Sequence, residues 1–110
     1  MPKINSFYFG NIIIDGKKFT NDVVITANGT VREKHRSHTI EKEDIQEFII
    51  DNVETIVIGT GTAGNVKVDP NVNIMAQLSG INVIIKPTIN AVEEFNKIKG
   101  KKAGIFHLTC

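Results

Sequence analysis

The sequence has one cysteine, no tryptophan and almost no excess of either charge, and each shortage excludes a class of protein. A lone Cys110 cannot close an internal disulfide, and without a Cys-x-x-Cys pair the usual start of a zinc site is missing. A formal net charge of +1 gives no general attraction to nucleic acid or to an anionic membrane. No apolar run approaches the ~20 residues of a membrane helix, and the N-terminus has no signal-peptide core. We therefore expect a cytoplasmic protein with no nucleic-acid or membrane partner.

The chain is long enough for one domain with its own core. It has 110 residues, of which 41% are apolar and 23% charged, as in ordinary globular proteins. We expect a single domain over residues 1–110.

The first third is divided by turn signals. Asp15-Gly16 and Asn28-Gly29 each separate two extended runs, and both pairs tolerate the positive φ angles of tight hairpins. Residues 6–34 are therefore predicted to form an antiparallel β-meander, with Gly10 as a bulge.

After about Glu41, helices alternate with strands. Apolar residues recur at helical spacing in "EKEDIQEFIIDNV", Asp69-Pro70 begins a helix that ends at Gly80, and Pro87-Thr88 opens another that ends at Gly100. The strands 55–58, 81–85 and 103–108 are almost wholly apolar, which is typical of strands covered on both faces. The pattern predicts an α/β fold: a βαβαβ unit with a largely parallel sheet, carrying the N-terminal meander as an extra layer.

The stretch "GTGTAGN" (59–65) follows a buried strand and has the spacing of a dinucleotide-binding turn. In that motif the helix begins within the turn and directs its amides at the pyrophosphate. Here the helix is predicted to begin only near Asp69. The next strand ends at Lys86 instead of at the acidic residue that would hold a ribose. We expect no NAD or FAD and no other cofactor.

A weaker hypothesis remains for the same segment: it could bind a small anion or another small molecule. This glycine loop (residues 59–64) contains Gly59, Thr60, Gly61, Thr62 and Gly64. Open α/β sheets bind ligands at the carboxyl ends of their strands, where Lys86, Thr88 and His107 could assist. The favoured interpretation is that the glycines only allow a tight turn.

Other chemically active side chains give incomplete sites. His35 and His38 supply two imidazoles, but zinc needs three or four ligands, so we expect no metal. His107 is interpreted as a structural histidine, with general acid–base catalysis as the alternative. A Cys110–His107 dyad is rejected because residues three apart on a strand face opposite sides. The cluster "NKIKGKK" (96–102) is interpreted as a solvated face.

Four segments together resemble a known domain family: "TIVIGTGTAGNVKV" (55–68), "GINVII" (80–85), the run Thr88-x-x-Ala91-x-x-x-Phe95-Asn96, and "FHLTC" (106–110). The family is a small archaeal, bacterial and eukaryotic domain of uncharacterised activity, first described structurally from a methanogen. Its human relatives are the adipogenesis-associated protein and a mitochondrial complex I assembly factor. The resemblance implies a three-layer α/β fold with a mixed central sheet, and a role in assembly or regulation through protein contacts. It also implies that a shared cleft is lined by Gly59, Gly61, Thr88, Asn96 and His107.

Two functional hypotheses remain. The first, which we favour, is a non-catalytic protein-interaction or assembly module that forms a homodimer and exposes a contiguous apolar patch. The second is a ligand site at the glycine loop, with or without enzymatic activity.

Overall fold

The computed structural model describes residues 1–110 and contains ten strands and three helices. The strands are β1 (Ile4–Tyr8), β2 (Asn11–Ile14), β3 (Lys17–Phe19), β4 (Val23–Ile25), β5 (Val31–Glu33), β6 (Thr39–Ile40), β7 (Thr55–Thr60), β8 (Lys67–Val68), β9 (Asn82–Lys86) and β10 (Lys102–His107). The helices are α1 (Lys42–Ile50), α2 (Pro70–Leu78) and α3 (Thr88–Lys97). None of these helices combines the length and the apolar composition that crossing a membrane requires.

A five-stranded mixed sheet forms the middle layer, in the order β5-β4-β10-β7-β9. Strands β10, β7 and β9 are parallel, whereas β4 runs antiparallel to β10 and β5 antiparallel to β4. Every residue of β7 and β10 is buried, as their uninterrupted apolar sequences predict. The predicted α/β class, with its mixed sheet, βαβαβ part and N-terminal antiparallel strands, is confirmed.

The strand at 81–85 was expected to be covered on both faces, and β9 is covered only in part. It is an edge strand, and Asn82, Ile85 and Lys86 are exposed. Val83 and Ile84 pack on opposite faces of the sheet, although each is only partly buried.

The predicted meander is divided between two sheets. Strands β1, β2 and β3 form their own antiparallel sheet, while β4 and β5 leave it to join β10. The turn between β2 and β3 has positive φ at Asp15 (48°) and Gly16 (79°), as predicted. Gly10 is not a bulge: with φ of 82° it turns the chain between β1 and β2, and the irregular pairing lies between Ile4 and Ser6.

Two apolar clusters fill the spaces on either side of the central sheet, which gives the three layers implied by the family resemblance. Helix α3 and the N-terminal sheet pack on Val57 and Phe106. Helices α1 and α2 pack on the opposite face, against Ile56, Ile58 and Ile105. Alternate residues of β7 and β10 therefore belong to different clusters, as the two-residue period of a strand requires.

The helix ends are set locally, except at the end of α3. The Asp69 carboxylate accepts the Asn71 amide at 2.8 Å and caps α2, as predicted. Helix α3 ends at Lys97, before the predicted stop at Gly100. Here the ammonium of Lys102 donates to the carbonyls of Phe95 and Ile98 and lies 4.3 Å from the centre of the Phe95 ring. Lys102 is only 5% exposed, so its assignment to a solvated face was wrong.

Candidate functional site

The glycine loop lies at the carboxyl end of β7 and is closed by the chain's own residues 109–110. Gly61 and Gly64 have φ of 99° and 70°. The Thr62 amide donates to the Thr109 carbonyl at 2.7 Å, and the Asn65 amide donates to the Cys110 carbonyl at 3.1 Å. The loop thus presents backbone donors as expected, but these two have acceptors within the protein.

Thr88 connects the loop to β10. Its hydroxyl oxygen accepts the Gly61 amide at 2.8 Å and donates its proton to the His107 carbonyl at 2.7 Å. The Thr88 amide returns a bond to the Gly61 carbonyl at 3.1 Å. Gly59 permits this close packing, because a Cβ there would lie 2.9 Å from the Thr88 hydroxyl oxygen.

The residues predicted to form a site are only partly brought together. Thr60 lies opposite His107 in the β7–β10 ladder. Lys86 directs its ammonium to Glu94, 3.4 Å away. Asn96 lies about two turns along α3 from Thr88 and bonds through its amide group to both backbone groups of Ile4. The glycine loop, Thr88 and His107 therefore lie next to one another. The polar groups of Lys86 and Asn96 instead contact Glu94 and Ile4.

His107 is the centre of a buried row of hydrogen bonds that the sequence did not predict. Its Nδ1 lies 2.6 Å from Asp22 Oδ2, and its Nε2 lies 3.2 Å from Thr109 Oγ1. Asp22 Oδ1 accepts the Leu108 amide at 2.9 Å. The exposed fractions are 2% for His107 and 5% for Asp22, whereas Thr109 is partly exposed. We call Asp22, His107 and Thr109 the Asp–His–Thr row.

The tautomer of His107 is assigned from its hydrogen-bond partners. An ionised carboxylate can only accept, so Asp22 receives both the Leu108 amide proton and a proton on His107 Nδ1. In a neutral imidazole the other nitrogen, Nε2, is then free to accept the Thr109 hydroxyl proton. This is the arrangement of nucleophile, base and orienting acid found in hydrolytic triads.

His38 lies at the boundary between the row and solvent. Its ring is edge-on to the His107 ring, with centroids 5.6 Å apart, and its side chain is exposed. No group of three or more His, Cys, Asp and Glu side chains is arranged to hold a metal ion.

A sequence signal for Thr109 existed, but none existed for Asp22. Residues two apart on an extended strand face the same side, so His107 and Thr109 are a natural pair, unlike His107 and Cys110. Asp22 reaches His107 because β4 pairs antiparallel with β10, with Val23 opposite Phe106. That long-range pairing cannot be inferred from local patterns.

The larger clefts of the molecule lie outside the row. One of about 390 Å³ is lined mainly by polar residues, among them Thr26, Asp51 and Lys101. Another of about 440 Å³ is lined by Asn21 and by Glu33, Lys34, His35 and Arg36. Neither includes a residue of the glycine loop or of the Asp–His–Thr row.

The chain belongs to the family described as "Protein of unknown function (DUF498/DUF598)", whose model matches residues 4–106. It is similar to the conserved hypothetical protein PH1505 from Pyrococcus horikoshii OT3, with 27% identity, 98% of this chain and 99% of that chain covered, and a TM-score of 0.87. The structure named MT938 matches over 100% of both chains, with 23% identity and a TM-score of 0.82. A Bordetella pertussis protein described as a Mth938-like domain is 12% identical over 97% of this chain and 85% of that one, with a TM-score of 0.71. The resemblance is thereby confirmed for the domain family, and the last two likenesses establish the fold.

Proposed function

We propose that this protein is a protein-interaction module that forms a homodimer through strand β9 and helix α2. The observation that carries the proposal is the absence of charge along this edge. Residues 70–85, which include α2 and most of β9, contain no Asp, Glu, Lys or Arg, although 23% of the whole chain is charged. Interfaces differ from the remaining surface mainly in having few charged residues at their centre.

The uncharged segment also exposes large apolar side chains. Ile74 and Leu78, one turn apart on α2, are 53% and 84% exposed, and Ile85 on β9 is 38% exposed. Residues four apart lie on the same face of a helix. Exposed apolar side chains that recur on one element favour an interaction surface over chance exposure.

The two edges of the central sheet differ in a way that favours this assignment. The opposite edge strand, β5, carries Arg32 and Glu33, and Lys34 follows it. Charged residues of this kind discourage pairing with another chain. Strand β9 has no charge until its last residue, Lys86, so its unpaired backbone groups lie on an edge without that protection.

A second copy of the chain is the partner that fits this edge. A two-fold dimer must pair one surface with itself. If two β9 strands pair antiparallel about Ile84, Val83 of each copy lies opposite Ile85 of the other, and Asn82 lies opposite Lys86. Every apolar residue then meets an apolar residue, and both α2 helices lie on the same side of a continuous sheet.

The implied human relatives support a role in protein contacts. The resemblance to the adipogenesis-associated protein and a mitochondrial complex I assembly factor implies function by assembly, so a further protein partner on the dimer belongs to this proposal. We also propose the cytoplasm as its location. The proposal concerns a surface and is independent of any chemistry at His107.

A ligand site at the glycine loop is the second hypothesis, and the geometry favours it less. A ligand accepting from Thr62 and Asn65 would have to displace the carbonyls of Thr109 and Cys110. Neither Lys86 nor Asn96 has its polar group free of other bonds. Thermal-shift screening of phosphates, nucleotides and carboxylates tests this hypothesis, and a raised melting temperature would support it.

Site-directed cross-linking tests the proposed dimer. In a Cys110→Ala background, Ile84→Cys places the new thiol on the two-fold axis, where paired Cα atoms are about 4.5–5.5 Å apart and a disulfide can form. Asn82→Cys is the matched control, because the two copies of residue 82 would be about 14 Å apart. We expect a covalent dimer on mild oxidation for Ile84→Cys only.

Sedimentation provides the second measurement. We expect the unmodified protein to be dimeric at micromolar concentrations, and Leu78→Lys or Ile85→Lys to shift it toward monomer. Tyr8→Lys, on a comparably exposed side chain of the N-terminal sheet, should leave it dimeric. A monomer at every concentration tested, or equal cross-linking at positions 82 and 84, would refute the proposed interface.

A further inference from the structure

We propose that the Asp–His–Thr row activates the Thr109 hydroxyl as a nucleophile toward carboxylic esters. The row has the three parts that such a nucleophile needs: a hydroxyl, a base within hydrogen-bonding distance, and an acid that orients the base. The distances are 3.2 Å from Thr109 Oγ1 to His107 Nε2 and 2.6 Å from His107 Nδ1 to Asp22 Oδ2.

The environment of Asp22 fixes the direction of proton transfer. Both of its carboxylate oxygens accept hydrogen bonds, one from the Leu108 amide and one from the imidazole. The burial of Asp22 and His107 leaves the imidazole two neighbours for its nitrogens, the carboxylate and the Thr109 hydroxyl. Nε2 is therefore placed to take the hydroxyl proton, as a general base does.

Thr109 lies where a substrate can reach it. Strand β10 ends at His107, and exposure rises from buried Leu108 through partly buried Thr109 to exposed Cys110. The backbone amides of Thr109 and Cys110 donate to no acceptor in the protein. The amides of a nucleophile and of the residue after it are suitable donors to a developing oxyanion.

The proposed step balances as an acyl transfer. Thr109 Oγ1 forms a bond to the carbonyl carbon of the ester while its proton passes to His107 Nε2. The tetrahedral intermediate then breaks the bond to the leaving oxygen, which takes that proton from Nε2. The products are an alcohol and an acyl ester of Thr109, and water hydrolyses this ester by the same sequence with His107 again as base.

Chromogenic esters test the proposal directly. p-Nitrophenyl acetate and p-nitrophenyl butyrate are incubated with the full chain carrying Cys110→Ala, so that no thiol competes. We expect nitrophenol release from both esters, and an acyl group located on Thr109 by peptide mass spectrometry. Thr109→Ala should reduce the rate about 100-fold or more, the usual contribution of a positioned acid–base pair, whereas Thr109→Ser should retain activity.

Two further variants separate catalysis from folding. Thr20→Ala alters an exposed threonine outside the row and should react as the parent does. Asp22→Asn can still accept the Leu108 amide, but its side-chain NH2 donates to His107 Nδ1 and leaves the ring proton on Nε2, where it blocks the base. This variant should therefore lose activity while its thermal unfolding remains cooperative. The proposal is overturned if the parent releases no nitrophenol above the Thr109→Ala background. It is equally overturned if the acyl group is found only on lysines.

Discussion

Substitution of Gly61 by alanine tests whether the glycine loop serves chiefly to hold the C-terminal segment. Two independent features make Gly61 necessary. Its φ of 99° is a conformation that side chains disfavour, and an added Cβ would lie 2.6 Å from the carbonyl carbon and oxygen of Cys110 and from the Thr109 oxygen. These neighbours are backbone atoms, so a Cβ can be accommodated only if the chain itself shifts.

The expected cost is the sum of two effects. Positive φ costs an alanine about 1–2 kcal/mol. Displacing residues 109–110 also loses the bonds from Thr62 and Asn65, each of which stabilises by about 1 kcal/mol. We therefore expect Gly61→Ala to lower the free energy of unfolding by about 3–4 kcal/mol.

Two other glycines separate these effects. Gly80 has φ of 71° and open space around it, so Gly80→Ala should cost only the conformational part, about 1–2 kcal/mol. Gly59 does not have positive φ but is crowded by Thr88, so Gly59→Ala should show overpacking alone, about 1–3 kcal/mol.

Urea unfolding at equilibrium, analysed by linear extrapolation, gives the three free energies. If Gly61→Ala were no more destabilising than Gly80→Ala, the contact between the loop and the C-terminal segment would contribute nothing to the free energy of unfolding. The reasoning about the loop would then fail.

Two further predictions concern buried polar groups. Thr88→Val keeps the side-chain shape but removes the hydrogen bonds that the Thr88 hydroxyl makes with the Gly61 amide and the His107 carbonyl, so we expect a loss of about 2–4 kcal/mol in urea unfolding. Thr88→Ser should be nearly neutral, and an equal loss for serine would contradict this. Desolvation lowers the pKa of Lys102, so at alkaline pH the unfolded chain binds this proton more tightly than the folded chain. We therefore compare the free energy of unfolding of the parent with that of Lys102→Met, so that the contributions of other groups cancel. The difference should rise in favour of the parent as pH increases through the folded pKa of Lys102 toward the ordinary lysine value. A constant or falling difference would refute this prediction.

Much of the fold could be predicted because its signals are local. Asp69 caps the first turn of α2 and Pro70 suits its first position, so these two residues predict where the helix begins. Asp15 and Gly16 both adopt positive φ, so this pair predicts its turn. The uninterrupted apolar sequences of β7 and β10 predict strands that are buried on both faces, as they are. Where a residue meets a requirement of the backbone beside it, such as a helix cap or a positive φ, the sequence alone is enough to predict the local structure.

The wrong strand pairing and the missed Asp22 both involve partners distant in sequence. Strands β4 and β5 have the pattern of a hairpin, but nothing in it indicates that β4 pairs with β10 and not with β3. The same pairing places Asp22 against His107, so the missed sheet connection and the missed site have one cause. Lys102 looked like a surface lysine because its acceptors, the last carbonyls of α3, become available only when the helix packs on β10.

The glycine loop is best understood through what it contacts. In dinucleotide-binding proteins such a turn aims its amides at a phosphate, with a helix beginning inside it. Here the helix begins at Pro70, and the amides of Thr62 and Asn65 are directed at the carbonyls of Thr109 and Cys110 instead. Thr88 completes the arrangement by joining the Gly61 amide to the His107 carbonyl. A loop that fixes both ends of the segment from His107 to Cys110 determines where the Thr109 hydroxyl lies relative to the imidazole, so a substitution in the loop should change the reactivity of Thr109 without touching the row.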